Sequence, residues 1–146
     1  MSGEKEFRRW IVQSADNDWL CQTIETSTGS GVPDLFLCTH GYQVWAELKS
    51  TGSDKDVYMR ISQYRWFRKL IARGGYGLLI IKRLKDKRID VYEAKVLTRF
   101  NAATECVLKG DDIIFPKTLT PAFTYKLGVG AKTFYKRLVE LFERSY

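Results

Sequence analysis

Two apolar, β-prone stretches, Leu35-Phe36-Leu37-Cys38 and Tyr42-Gln43-Val44-Trp45-Ala46-Glu47-Leu48-Lys49, are joined by Thr39-His40-Gly41-Tyr42. This turn constrains the fold more than any other segment. Gly41 tolerates a positive φ, and a two-residue His40-Gly41 loop makes a β-hairpin. Thr39 then pairs with Tyr42, and stepping outward one residue on each strand brings Asp34 opposite Glu47. A four-residue loop centred on the same bond keeps that register. The two carboxylates would have Cβ atoms about 5 Å apart on one face of the sheet. Like charges so placed repel, and a divalent cation between them removes the conflict. Lys49, two residues beyond Glu47, projects from the same face, while Leu48 points the other way into a core.

Hard cations such as Mg²⁺ are held by one or two carboxylates together with phosphate oxygens and water. A metal clamped to a phosphodiester activates water and stabilises charge at the attacked phosphate. An ammonium beside it can orient that water and offset developing negative charge. Two acids and a lysine on adjacent strands are therefore a minimal metal-dependent phosphodiesterase. The plainer alternative is a surface hairpin with a chance acid pair and a solvated lysine.

Gly31-Val32-Pro33-Asp34-Leu35, then Ala46-Glu47-Leu48-Lys49, then Gln63 opening Gln63-Tyr64-Arg65-Trp66-Phe67-Arg68-Lys69-Leu70, resembles the PD-(D/E)XK nuclease superfamily. More narrowly, it resembles the VRR-NUC branch and the archaeal-type Holliday junction resolvases. The branch pattern continues with a Gly-rich turn, here Ala72-Arg73-Gly74-Gly75-Tyr76, and the strand Gly77-Leu78-Leu79-Ile80-Ile81. The resemblance covers about residues 1–93. It implies an α/β, restriction-endonuclease-like αβββαβ core with a mixed central sheet. It implies Asp34 and Glu47 as metal ligands, the Leu48 carbonyl as a third, Lys49 as the catalytic lysine, and Gln63 reaching back towards the site. It also implies an acid on the first helix, for which Glu4 fits best and Glu6 is the alternative. The implied cofactor is Mg²⁺, with Mn²⁺ able to substitute. Small stand-alone members often come from phages, which would put the protein in the cytoplasm, including that of an infected host.

The chain has 146 residues, enough for one domain, and 45% of them are hydrophobic. Lys and Arg total 24 against 17 acids, giving +7, a balance that suits a polyanionic partner. Cys21, Cys38 and Cys106 form neither a disulfide framework nor a CxxC zinc pattern, and suit a reducing cytoplasm. With His40 as the single histidine, zinc-protease, HNH and His-based deaminase sites are excluded. His40 itself reads as a turn residue. The Gly128-Val129-Gly130 segment only partly imitates a phosphate loop. No apolar run is long enough to cross a membrane, and Met1-Ser2-Gly3-Glu4-Lys5 has no apolar signal core.

Helical spacing of Phe7, Trp10, Ile11 and Ser14 predicts a helix over 4–14, and Leu20, Gln22 and Ile24 alternate in a candidate strand over 19–26. Ser27 to Gly31 form a loop feeding Asp34, and Ser50 to Asp56 a polar loop. A helix is expected over 60–73, with Ile61, Tyr64, Phe67, Leu70 and Ile71 on one face; Gln63, Arg60 and Arg68 fall off it. Without the family pattern, Gln63 reads as a solvated helix residue. Hairpins are expected at 76–93 and 107–115, and a last helix over 131–144. The first of these hairpins carries Lys82, Arg83, Lys85, Lys87 and Arg88. With Ser30 and Arg60 these are candidate nucleic-acid contacts; the equal alternative is that the hairpin charges solvate an exposed turn.

The combined expectation is one nuclease domain, with a core over 1–93 and a C-terminal hairpin and helix extension over 94–146. Its activity would be Mg²⁺-dependent endonucleolytic hydrolysis of branched or structured DNA, as in a Holliday junction resolvase. A general or flap-type repair nuclease and a non-catalytic nucleic-acid-binding module are the alternatives. A homodimer is expected because the extension carries Phe100, Phe115, Phe123, Phe134, Tyr135, Leu138, Leu141, Phe142 and Tyr146. Any part of that load left unburied would form an apolar patch.

Overall fold

The hairpin turn closes as the sequence requires. His40 (φ 49°) and Gly41 (φ 82°) both take left-handed backbone, as a two-residue turn that follows strand twist demands. This fixes β2 (Leu35–Thr39) against β3 (Tyr42–Thr51) with Thr39 opposite Tyr42 and Leu35 opposite Ala46. The computed structural model describes residues 3–25 and 31–146. Its further elements are α1 (Gly3–Ser14), β1 (Leu20–Thr23), β4 (Tyr58–Arg60), α2 (Ile61–Ala72), β5 (Gly77–Arg83), β6 (Arg88–Glu93), α3 (Ala94–Leu97), β7 (Val107–Lys109), β8 (Asp112–Ile114), β9 (Phe123–Lys126) and α4 (Ala131–Ser145).

Six strands form one sheet in the order β1-β2-β3-β5-β6-β9, and β4-β8-β7 form a second, three-stranded sheet. The large sheet is mixed: β3 and β5 run parallel, joined through β4 and α2, and its other neighbours are antiparallel. Strand alternation then sorts the core into two layers. Leu35, Leu37, Val44, Ala46, Leu48, Leu78 and Ile80 face α1 and α4, where Phe7, Ile11, Phe134, Leu138 and Phe142 cover them. Leu79, Ile81 and Tyr92 face the other way, under Tyr64 and Phe67 of α2 and Met59, Ile113 and Phe115 around the small sheet. Glu47 and Lys49 belong to this second face.

Two expectations are corrected. The strand after α1 is shorter than 19–26 and has the opposite phase: Leu20 and Gln22 are exposed while Cys21 and Thr23 are half-buried. It is an edge strand, so the packing of one neighbour decides which side turns inward. The segment over 94–146 contains the expected hairpin and helix: it supplies the sixth strand, the helix α4 over the α1 face, and the β7–β8 hairpin that pairs with β4. The apolar remainder that motivated a dimer is also largely absent: Phe115, Phe123, Phe134, Tyr135, Leu138, Leu141 and Phe142 are buried, Phe100 is half-buried, and only Tyr146 of the nine is exposed.

Candidate active site

The hairpin register carries beyond the last ladder pair. Asp34 immediately precedes β2, and its Oδ2 accepts a hydrogen bond from the Leu48 amide at 3.1 Å. Its own carbonyl accepts from the Ile24 amide at 2.8 Å, which ties it to the β1 side. The residues before it are fixed by close packing. Gly31 has φ +81°, and a Cβ there would lie 2.3 Å from the Ser62 carbonyl oxygen. Only glycine lets the chain cross the first turn of α2 this closely, so the Gly31-Val32-Pro33-Asp34 segment brings Asp34 and the start of α2 together.

Glu47 is 2% exposed and Lys49 7%. The Lys49 Nζ lies 3.5 Å from Glu47 Oε2, and Glu47 Oε1 is buried without a partner. Burial first, then the Asp34 charge and hydrogen bond, push the Glu47 carboxyl up to about 8, with Lys49 offsetting part of the rise. Without a cation, Glu47 thus holds its proton at neutral pH. The Lys49–Glu47 contact then becomes a full ion pair only once that proton leaves. A buried carboxyl with one oxygen lacking any partner, beside a half-buried second acid, has the donor chemistry of a hard-cation site.

Gln63 is buried, which overturns the solvated reading. It is the third residue of α2, and its Oε1 accepts from the Arg60 amide at 3.0 Å, capping the helix. The small sheet holds this region from the C-terminal side. β8 pairs with β4, the Ile61 amide donates to the Asp111 carbonyl at 2.8 Å, and the Phe115 amide to the Val57 carbonyl at 2.8 Å. Through β4 this pairing sets Tyr58 beside the lysine, with Lys49 Nζ 5.8 Å from the ring centroid. Sequence reasoning missed Tyr58. Its only sequence signal was an aromatic at the end of a polar loop, and its position depends on a strand almost sixty residues later.

The remaining expectations fare unequally. Glu4 lies on the exposed side of the first turn of α1, close enough for its charge to act on Tyr58. Among the described residues no group of three or more His, Cys, Asp or Glu side chains is placed to hold a metal ion. Arg83 is not a surface contact. It is 1% exposed, with Nε on Asp90 Oδ2 at 3.0 Å, Nη1 on the Ser53 and Asp56 carbonyls at 3.3 and 2.6 Å, and Nη2 on the Tyr92 hydroxyl at 3.2 Å. Ladder pairing forces this, since Arg83 lies on the same sheet face as Asp90 and Tyr92. Arg88 is tied to Asp86, to Asp90 and to the Asp54 carbonyl. Lys82 is half-buried near the Phe7 ring, whereas Lys85, Lys87 and Arg60 are exposed. Ser30 lies outside the described residues.

No family model matches the chain, and no curated protein matches its sequence. Among solved structures, the chain is similar to Archaeoglobus fulgidus Hjc, a Holliday junction resolvase from an archaeal hyperthermophile. The TM-score is 0.53 at 9% identity, over 81% of this chain and 86% of that one. The restriction-endonuclease-like αβββαβ arrangement expected from the sequence is thus the fold, with β4 inserted before α2. Among the described residues no helix is long and apolar enough to cross a membrane.

Proposed function

We propose that this chain is a divalent-metal-dependent endonuclease that cuts branched DNA. The observation that carries the reading is the buried Glu47 carboxyl, with its pKa raised by burial and by Asp34, and with Lys49 3.5 Å away. The fold it shares with a junction resolvase supports the choice of substrate class. Asp34 and Glu47, with the Leu48 carbonyl, would hold Mg²⁺, and Mn²⁺ would substitute. The bound ion would supply positive charge at the scissile phosphate and a water of lowered pKa. The chain's own residues do the rest. Asp34 is held on the Leu48 amide, which fixes the spacing of the two carboxylates. Glu47 gives up its proton to become a ligand, and Lys49 then carries charge next to the attacked phosphate and steadies the nucleophilic water. Gln63 rigidifies the start of α2 against the Asp34 segment.

Resolution of a four-way junction needs two cuts, so this reading includes a two-fold dimer. Val107 and Leu108, exposed on the edge strand β7, offer an apolar seam for it. The test is cleavage of a synthetic four-way junction beside a linear duplex, in Mg²⁺ and in EDTA. Asp34→Asn is expected to abolish cutting while binding in Ca²⁺ survives. Lys49→Ala is expected to slow the single-turnover rate by ~100-fold with little change in affinity. Equal cutting of linear and branched DNA would favour a general nuclease, and no metal-dependent cutting of any DNA would refute the assignment.

A further inference from the structure

Helix α2 and its two flanking residues carry Arg60, Arg65, Arg68, Lys69 and Arg73 and not one acid. All five are exposed. Arg65, Arg68, Lys69, Ala72 and Arg73 line an open depression of about 350 Å³. Arg65 neighbours Arg68 and Lys69 on the helix surface, and Lys69 neighbours Arg73, so like charges repel along the whole face. Arg60 also stands at the positive end of the helix dipole, where a cation is disfavoured. Among the described residues, none of the ion pairs involves these five side chains. Glu105, whose charge reaches Tyr64, directs its carboxylate to the Asn101 amide at 2.9 Å. The contrast with the β5–β6 turn is sharp, since the arginines there are matched by Asp86 and Asp90. On α2, two guanidinium groups are also pre-set: Arg68 lies 5.9 Å from the Tyr64 ring centroid, and Arg73 Nη1 donates to the Lys69 carbonyl at 2.9 Å.

We propose that the outer face of α2 is a docking surface for the backbone of a duplex DNA arm that flanks the cleaved phosphodiester. The proposal rests on the nuclease reading above. Because Gly31 packs on Ser62, α2 starts beside Asp34 and runs away from it for about 18 Å. Residues 65 to 73 span about 12 Å of that length, matching a stretch of duplex that carries about seven phosphate charges. A row of cations leading away from the cleavage site, with no base-reading geometry, suits a partner recognised by phosphate alone.

The experiment compares wild type, the combined Arg65→Gln, Arg68→Gln, Lys69→Gln, Arg73→Gln variant, and a Lys85→Gln, Lys87→Gln variant. Binding to linear duplex and four-way junction is measured over a salt series with Ca²⁺ in place of Mg²⁺, and wild-type cleavage is measured in Mg²⁺. The α2 variant is expected to bind both DNAs more weakly and to flatten the slope of log K against log salt by about 3, approaching the ~0.9 per lost phosphate contact. The hairpin variant is expected to flatten it by no more than about 2. Should the fourfold variant lose its helical circular dichroism, the two doubles, Arg65→Gln with Arg68→Gln and Lys69→Gln with Arg73→Gln, are each expected to flatten the slope by about half as much. An unchanged slope in a wild type that binds and cuts would overturn the α2 surface alone. A wild type that binds with the α2-dependent slope but never cuts would overturn the nuclease reading and leave the surface standing. No DNA binding by wild type would overturn both.

Discussion

Glu47→Gln would separate stability from activity in opposite directions. The side chain is 2% exposed, and its carboxyl titrates near 8 in the fold against an ordinary 4.5. Between these values the folded state holds a proton that the unfolded state has released. Stability therefore falls as pH rises from about 4.5 to 8 and stays low above that. At about 1.4 kcal/mol for each pH unit, the ceiling on this loss is about 5 kcal/mol. Water entry and rearrangement around Lys49 would reduce it to about 2 kcal/mol. Glutamine keeps the shape and can donate to Asp34 as the protonated acid does, but it never ionises. Thermal unfolding in EDTA is thus expected to give nearly equal Tm values for the two proteins at pH 5. At pH 9 the variant should melt about 4–8 °C higher, given 2–4 °C per kcal/mol for a chain of this size. Mg²⁺ should raise the wild type at pH 9, with proton release on titration through neutral pH, and should not raise the variant. Cleavage should be lost. A Tm difference that is constant from pH 5 to 9 would refute the raised Glu47 pKa and, with it, the strongest physical reason to seat a cation there.

Two further changes test residues whose roles the tertiary structure assigned. Arg83→Met should cost about 3–5 kcal/mol in denaturant unfolding, because it leaves Asp90 buried with a broken partner, and it should not alter the salt dependence of DNA binding. A changed salt slope at unchanged stability would return Arg83 to the DNA surface. Gly31→Ala should lose at least ~2 kcal/mol, combining a left-handed φ with a Cβ driven into the Ser62 carbonyl, and should lower the cleavage rate by displacing Asp34; a stable, fully active variant would show that the segment is not held against α2.

The sequence by itself determined the parts of this protein that depend on neighbours a few residues away. The turn at His40-Gly41 needs left-handed backbone and fixes a register of period two, so the opposition of Asp34 and Glu47 and the shared face of Glu47 and Lys49 follow without any tertiary contact. The helices over 3–14, 61–72 and 131–145 were legible for the same reason, since apolar spacing marks one face whatever covers it. Tertiary structure decided what pairing across long separations controls. A row of lysines and arginines in a hairpin reads as a basic patch until Asp90 and the Ser53 and Asp56 carbonyls are brought around Arg83. Gln63 reads as solvated until the Asp34 segment and β4 close over it. The last fifty residues read as an extension with apolar residues to spare for a partner, yet they complete the sheet and both layers and hold Tyr58 against Lys49. In each case the deciding partner lies on a different element, and a pattern of residue types along one strand or helix carries no information about which element will lie beside it.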